Sequence, residues 1–398
     1  MPRLIALCLP GGPAFVEQLR RAWDSGDAVL PVDLRLAPPA RERLLSALRP
    51  ACWVGPDGIA TPLAGAEPVE GGDALVMATS GSTGEPKGVV LTHEAVEASA
   101  RATSRRLAVD AGTDAWWACL PLSHVGGLSV VTRSLTEGVR CDVVEGFSEE
   151  GALAALKGGA TLTSLVPTAL WRLPSAVADR FRHIVLGGQA PPAVLPPNVV
   201  TTYGLTETGS GLVYDGRPID GAELRIVGGE IHVRGPMLLR CYRDGRDPKD
   251  GEGWFATGDG GEMRPDGSLS VLGRMSEMII SGGENIWPAA VEAVIARHPA
   301  VADVAVGGVP DPEWGERVVA YVVLEEKGSR EGPLLGQLRA LVMSEIAGYA
   351  APREVVLVEA IERTALGKVQ RERLGASEGE SPRRPTPSGP TSRGPTPR

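Results

Sequence analysis

The chain has 398 residues, 43% of them hydrophobic and 22% charged, enough for two or three domains with full-sized cores. Its 40 Lys and Arg stand against 49 Asp and Glu, a formal charge of -9, so no net positive field exists to gather nucleic acid or an anionic membrane. The five cysteines, Cys8, Cys52, Cys119, Cys141 and Cys241, are scattered without a C-x-x-C pair; this excludes a disulfide framework and a zinc cluster and reads as small buried apolar groups.

Leu4 to Leu9 is too short for a secretory apolar region before Pro10-Gly11-Gly12 stops it. No apolar run approaches the ~20 residues that span a bilayer, so the expected location is cytoplasmic. Strand-like runs then alternate with helical patterns, the sign of a layered α/β domain. Residues 74–78 read as a buried strand, followed by a Gly-rich loop expected to open into a helix. Thr92 can cap that helix, which runs to about 107 with Ala95, Val96, Ser99 and Ala100 on one face. Residues 183–186 read as a strand ending in Gly187-Gly188. From 223 the pattern turns to short β-pieces at 223–227, 230–233 and 261–272, the last a hairpin around Pro265-Asp266-Gly267.

A second unit begins near Gly273-Arg274. Pro288 opens a helix that ends near His298-Pro299. Strands are expected at 301–309, 317–324 and 354–358, with a helix at 334–346. Beyond Ala376 only Ser, Pro, Arg, Gly, Thr and Glu remain, and such a tail cannot offset its ordering entropy by burial. The expected division is 1–275, 276–375 and a disordered 376–398.

Thr79-Ser80-Gly81-Ser82-Thr83-Gly84-Glu85-Pro86-Lys87-Gly88 carries the clearest chemistry. Glycines let backbone N–H groups approach phosphate oxygens, hydroxyls add neutral donors, and Lys87 adds a cation. It is not a Walker loop, because Lys87 is followed by Gly88. A generic Gly/Ser loop is as readily a simple turn. This string, however, resembles the phosphate loop of the adenylate-forming enzymes: acyl-CoA synthetases, luciferases and peptide-synthetase adenylation domains.

Further segments resemble the same family in the same order, over roughly residues 70 to 374. Thr201 to Thr208 (TTYGLTET) resembles its adenine and α-phosphate segment, and implies that Thr202, Tyr203, Gly204 and Thr206 touch the nucleotide while Glu207 holds Mg²⁺. Gly187 and Gly188 fall at its nucleotide and acyl wall, and Leu205 at the acyl pocket. Trp254 to Asp259 and Gly273 to Glu277 resemble the ribose and hinge segments, with Asp259 and Arg274 at the sugar and Ser276 at the hinge. Ser281-Gly282-Gly283 and Trp314 match positions along the coenzyme A tunnel, and Lys368, after Gly367, matches the catalytic lysine of the terminal loop. Without the others, each is as readily an ordinary turn, a surface tryptophan or a solvated lysine.

The resemblance implies an α/β fold: a large layered N-terminal domain, shortened at its start, with a β-rich subdomain, and a small mobile α+β C-terminal domain. It implies a ligase whose carboxylate substrate attacks the α-phosphorus of ATP, releases pyrophosphate and passes its acyl group to coenzyme A. Lys87, Thr206, Glu207 and Lys368 would stabilise charge in that sequence. The wording around His124, Gly126, Gly127 and Arg133 (PLSHVGGLSVVTRSL) is most similar to the o-succinylbenzoate–CoA ligase branch, in menaquinone biosynthesis. Its acid carries two carboxylates, and Arg133 lies within an apolar helical pattern. It would either orient the unreacted carboxylate or pair internally with an acidic residue. Ligases for other aromatic or medium-chain acids, a carrier-protein loading enzyme and a non-catalytic nucleotide sensor are the alternatives; intact Lys368, Glu207 and Asp259 count against the last. Expected partners are ATP with Mg²⁺, coenzyme A and a small aromatic acid, with no nucleic acid and no membrane, and a homodimer compatible. The pattern departs from the family where only 78 residues precede Thr79, where Ser276 and Glu277 replace the usual hinge residues, and where Cys241-Tyr242 replaces Gly-Tyr.

Overall fold

The computed structural model describes residues 1–80, 86–192, 194–325, 331–363 and 369–374. Two seven-stranded sheets form the larger part. The first runs, in spatial order, through Cys241–Tyr242, Pro86–Thr92, Asp73–Ser80, Ala28–Pro31, Leu4–Leu7, Cys52–Val54 and Ala60–Pro62. Its central strands are parallel and buried on both faces, which is why Leu4–Leu7 reads as unbroken apolar sequence rather than alternation. The second is ordered Arg217–Pro218, Ser210–Tyr214, Val199–Leu205, His183–Leu186, Leu162–Leu165, Ala115–Ala118 and Arg140–Val143. Helices His93–Arg106 and Val125–Glu137 pack on each other, the first touching strands of both sheets. One hydrophobic cluster runs through both sheets and these helices, from Met77 and Leu91 to Val130 and Trp116.

The expectation that the Gly-rich loop opens directly into a helix is corrected here. Pro86–Thr92 is a strand antiparallel to Asp73–Ser80, with Thr79 opposite Lys87. Buried Val89, Val90 and Leu91 favour a strand between two packed faces, and Gly88 is needed because a Cβ would lie 2.8 Å from Val76. The helix begins only at His93, where Thr92 Oγ1 accepts from the Ala95 N–H at 3.1 Å. The residues on either side of the loop are therefore paired strands.

A four-stranded antiparallel sheet follows, Glu223–Val227, Glu230–Arg234, Phe255–Met263 and Leu269–Arg274. The expected hairpin at 261–272 is present with longer arms. A separate cluster from Ile279 to Ala351 surrounds the last sheet, in which Gly315–Leu324 pairs antiparallel with Val301–Asp311 and parallel with Glu354–Leu357. Helices Pro288–Ile295 and Glu331–Glu345 belong to this part; the first stops three residues short of His298, the chain continuing in turns. Trp287 lies against Gly260, where any Cβ would come within 2.1 Å of its ring. Among the described residues no helix is long and apolar enough to cross a membrane. The tail expected to be disordered lies outside the described residues.

Arg240 ties the edge of the first sheet down. Its Nε and Nη2 reach both oxygens of Asp73 at 2.9 Å, and the Asp73 carboxylate is 1% exposed. A bidentate, planar pair of this kind is worth most where water is excluded. Arg240→Met strands a buried carboxylate and is expected to lower unfolding free energy by about 3 kcal/mol in a urea titration, with Asp73→Asn in the same chain recovering part of the loss.

Candidate active site

The two paired strands present Thr79 and Lys87 opposite each other. Gly81, Ser82, Thr83 and Gly84 lie outside the described residues, as does the side chain of Ser80. The Lys87 ammonium stands 6.0 Å from the centroid of the Tyr242 ring. Tyr242 belongs to the edge strand paired with Val89 and Val90, so it sits directly beside the rising arm of the hairpin.

The strand Val199–Leu205 carries the second group. It bulges between Tyr203 and Gly204, and Gly204 is obligatory: a Cβ would lie 2.2 Å from the Ser210 carbonyl oxygen. Thr206–Thr208 then form a 3₁₀ turn, closed by Gly209 at φ +67°. Thr208 Oγ1 accepts from the Leu205 N–H and donates to the Ser210 carbonyl, which fixes the turn. Thr202 Oγ1 donates to the Leu186 carbonyl, and a Cβ on Gly187 would lie 2.6 Å from that hydroxyl, so Gly187 and Gly188 are brought beside Thr202.

Three expected nucleotide residues meet. The Tyr203 hydroxyl donates to Asp259 Oδ2 at 2.8 Å, and Arg274 Nε lies 3.1 Å from Asp259 Oδ1. Asp259 and Arg274 face each other across paired strands. Burial, and then the Asp259 charge, push the Tyr203 phenol well above its ordinary range, so it remains a donor. Glu207 lies apart from this trio; its Oε1 accepts from the Tyr242 hydroxyl at 3.0 Å. Burial and the Glu207 carboxylate push the Tyr242 phenol up in the same way. Among the described residues no group of three His, Cys, Asp or Glu side chains could cage a metal. A single carboxylate oxygen is instead what a Mg²⁺ held mainly by phosphates and water requires, so the residues present fit that ion.

At the other end of the site, His124 precedes the helix Val125–Glu137, its Nε2 3.8 Å from Asp33 Oδ2. Asp33 is held at about 2, chiefly by its hydrogen bond from Arg35, and so faces His124 as an anion. The adjacent glycines differ. A Cβ on Gly127 would strike the Pro121 carbonyl at 2.4 Å, whereas one on Gly126 meets nothing within 4 Å.

Arg133, on the third turn of that helix, is 2% exposed. Its Nη2 donates to Ser210 Oγ, its guanidinium lies 5.6 Å over the Trp116 ring, and its Nε and Nη1 have no hydrogen-bond partner. Among the described residues no carboxylate pairs with it, so the internal salt bridge expected as the alternative is not found there.

In the smaller part, Ser276 lies in the 3₁₀ turn Met275–Glu277. Gly282 packs on Trp314, with a hypothetical Cβ 3.0 Å from the ring, and Gly283 at φ +84° borders open space. Ser281 is buried, and Trp314 is half-buried beneath Arg353, whose guanidinium stands 3.7 Å from the ring centroid; it is no loose surface side chain. Lys368 lies outside the described residues. Arg363 and Val369 pair on either side of 364–368, and Arg371 binds Glu277 and Glu292 at 2.9 Å each. Sequence reasoning did not single out Asp33, Tyr242 or Arg371 for the site. Only Tyr242 left a trace, as the aromatic that follows Cys241 in the departure noted above.

The family model described as "AMP-binding enzyme" matches residues 56–243, and the one described as "AMP-binding enzyme C-terminal domain" matches residues 290–368. A Mycobacterium tuberculosis protein named "Probable 2-succinylbenzoate–CoA ligase" is 38% identical over 395 residues, covering 93% of this chain and 97% of its own. The o-succinylbenzoate CoA synthetase of Bacillus subtilis, solved in complex with the acyl-adenylate intermediate OSB-AMP, superposes with a TM-score of 0.81 at 28% identity, over 94% of this chain and 88% of that one. The same enzyme in complex with ATP and a magnesium ion gives a TM-score of 0.78 at 28% identity, over 94% of this chain and 89% of that one.

The paired glycines make a local test. Gly127→Ala forces a Cβ into a carbonyl and is expected to lower the thermal midpoint by several degrees, about 2 kcal/mol or more. Gly126→Ala places its methyl in open space and gains helix propensity, so it is expected to hold or raise the midpoint by up to about 1 kcal/mol. Differential scanning fluorimetry on both variants reads the contrast.

Proposed function

The chain belongs to the AMP-binding, adenylate-forming enzyme family and is an ATP-dependent acid–thiol ligase; we propose that its acid is 2-succinylbenzoate and its thiol coenzyme A, as in menaquinone biosynthesis. The observation that carries the choice of acid is Arg133. A buried guanidinium whose Nε and Nη1, with three N–H groups between them, have no hydrogen-bond partner, and with no carboxylate beside it among the described residues, is costly, and an acid with a second, unreacted carboxylate would satisfy it directly or through water. The relatives named for this activity support the same choice.

The remaining residues fit the two half-reactions. A carboxylate is a poor acyl donor because its leaving group would be oxide. Attack on the α-phosphorus replaces that leaving group with AMP, and pyrophosphate departs. Thr79 and Lys87, with the hydroxyls and amides of 80–84, would hold the departing phosphates, and Thr206 with Lys368 the charge at the α-phosphorus. Tyr203, Gly187 and Gly188 would line adenine, with Thr202 and Gly204 beside them, while Asp259 and Arg274 take the ribose. Glu207 would hold Mg²⁺, which when bound neutralises phosphate charge. His124, Gly126, Gly127 and Leu205 would border the acid. The face of Ser281, Gly282, Gly283 and Trp314 would admit the pantetheine arm once the part beyond Ser276 turns. Free thiols at all five cysteines suit a cytoplasmic setting.

Thioester formation with ATP and coenzyme A across 2-succinylbenzoate, benzoate, coumarate and octanoate tests the proposal. Selective turnover of the dicarboxylate is expected; turnover of the others alone would discard this acid, and none at all would point to a carrier-protein acceptor. Arg133→Leu is expected to raise the KM for 2-succinylbenzoate about 10- to 100-fold, the worth of a charged hydrogen bond, while the thermal midpoint holds or rises as an unpaired buried charge is removed. An unchanged KM ends that role for Arg133. Asp259→Asn is expected to raise the KM for ATP by about 10-fold or more, read from pyrophosphate release at fixed acid.

A further inference from the structure

The segment from Leu239 to Arg243 touches both phosphate-handling elements. Its Leu239 N–H donates to the Glu207 carbonyl at 2.8 Å, and the Tyr242 hydroxyl donates to the Glu207 carboxylate at 3.0 Å. On its other side the Arg240 N–H donates to the Val90 carbonyl and the Arg243 N–H to the Gly88 carbonyl, at 2.9 and 2.7 Å, next to Lys87. Arg243 in turn anchors to the carbonyls of Leu48, Pro68 and Glu67. Tyr242 itself is buried, its ring between the Lys87 and Arg246 cations at 6.0 and 4.7 Å.

We propose that Tyr242 is a positioning residue that fixes the Glu207 carboxylate, and the Lys87 ammonium beside it, for a divalent cation carried by a nucleoside triphosphate. The inference rests on the ligase reading above. Its physical basis is that a carboxylate with four lone-pair sites and a free torsion presents no single direction to a cation. One fixed donor on Oε1 restricts that torsion and leaves the lone pairs of Oε2 for the cation. The ring, packed against the strand that follows the phosphate hairpin, couples the orientation of Glu207 to the position of Lys87.

The test uses the full chain and Mn²⁺, followed by electron paramagnetic resonance in the presence of α,β-methylene-ATP. Tyr242→Phe keeps the ring and loses only the hydroxyl. It is expected to weaken Mn²⁺ binding about 10- to 100-fold, with metal-free nucleotide binding and the thermal midpoint unchanged. In a Glu207→Gln background the same change is expected to have no further effect, since the group it positions is gone. In pyrophosphate release, the Mg²⁺ half-saturation should rise by the same factor, with saturating Mg²⁺ restoring kcat. Unchanged Mn²⁺ binding in Tyr242→Phe, an equal loss in the Glu207→Gln background, or a fall in kcat at every Mg²⁺ concentration overturns the positioning role. A wild-type chain that binds Mn²⁺ with this Tyr242 dependence yet activates no acid overturns the ligase reading and leaves the positioning role standing.

Discussion

The placement of the paired strands Asp73–Ser80 and Pro86–Thr92 against the turn Thr206–Thr208 is the constraint on which the arrangement of Lys87, Tyr242 and Glu207 depends. The strands belong to the first sheet and the turn follows a strand of the second; Pro86–Thr92 touches the turn directly, and a five-residue segment from further down the chain adds to that contact. Leu239 to Arg243 bonds to both, as an edge strand on one side and through Tyr242 and Leu239 on the other. Arg240 locks this segment to Asp73, at the root of the hairpin. Phosphate chemistry depends on electrostatic positioning, where small displacements are expensive, so a rigid cross-link here governs what the loop residues can do.

Two arginines, one partly exposed and one buried, show how differently charge is treated in one molecule. Arg240 meets a carboxylate in bidentate geometry and serves stability. Arg133 meets two hydroxyls, of Ser210 and Tyr214, and the face of a tryptophan, with its Nε and Nη1 donors idle. A fold selected for stability alone would replace the second with an aliphatic side chain. Local violations of this kind concentrate where a ligand completes the arrangement. Steric demands reinforce the same region: Gly127 and Gly204 each let a backbone carbonyl come closer than any Cβ would allow, bringing the helix Val125–Glu137 and the strand Val199–Leu205 against their supports.

Much of this was legible in the amino-acid order because it is local. The cap at Thr92, the hairpin at Pro265 to Gly267, the helix opened by Pro288 and the long strands of the smaller part follow from side-chain periodicity and turn chemistry within a few residues. The ordered motifs from Thr79 to Lys368 pointed to the family for the same reason. The error at Pro86 to Thr92 is also instructive. A glycine-rich loop before an amphipathic helix suggests that the two are contiguous, and the intervening Val-Val-Leu run reads as helix or strand until its partner strand is known.

What the sequence determined by itself was therefore several of the elements and the chemistry of the motifs, carried by spacing along the chain, with the class of reaction implied by the resemblance those motifs bear to a family. Tertiary structure alone decided which residues share a site. Tyr203 finds Asp259 across 56 positions, Tyr242 finds Glu207 across 35, and Arg133 finds Ser210 across 77 but no carboxylate. No periodicity encodes such meetings, because they arise from the order of strands in sheets and the packing of helices between them. Only there does a buried tyrosine become a donor to a carboxylate, and an arginine in an apolar helix prove to be a charge with no carboxylate beside it among the described residues.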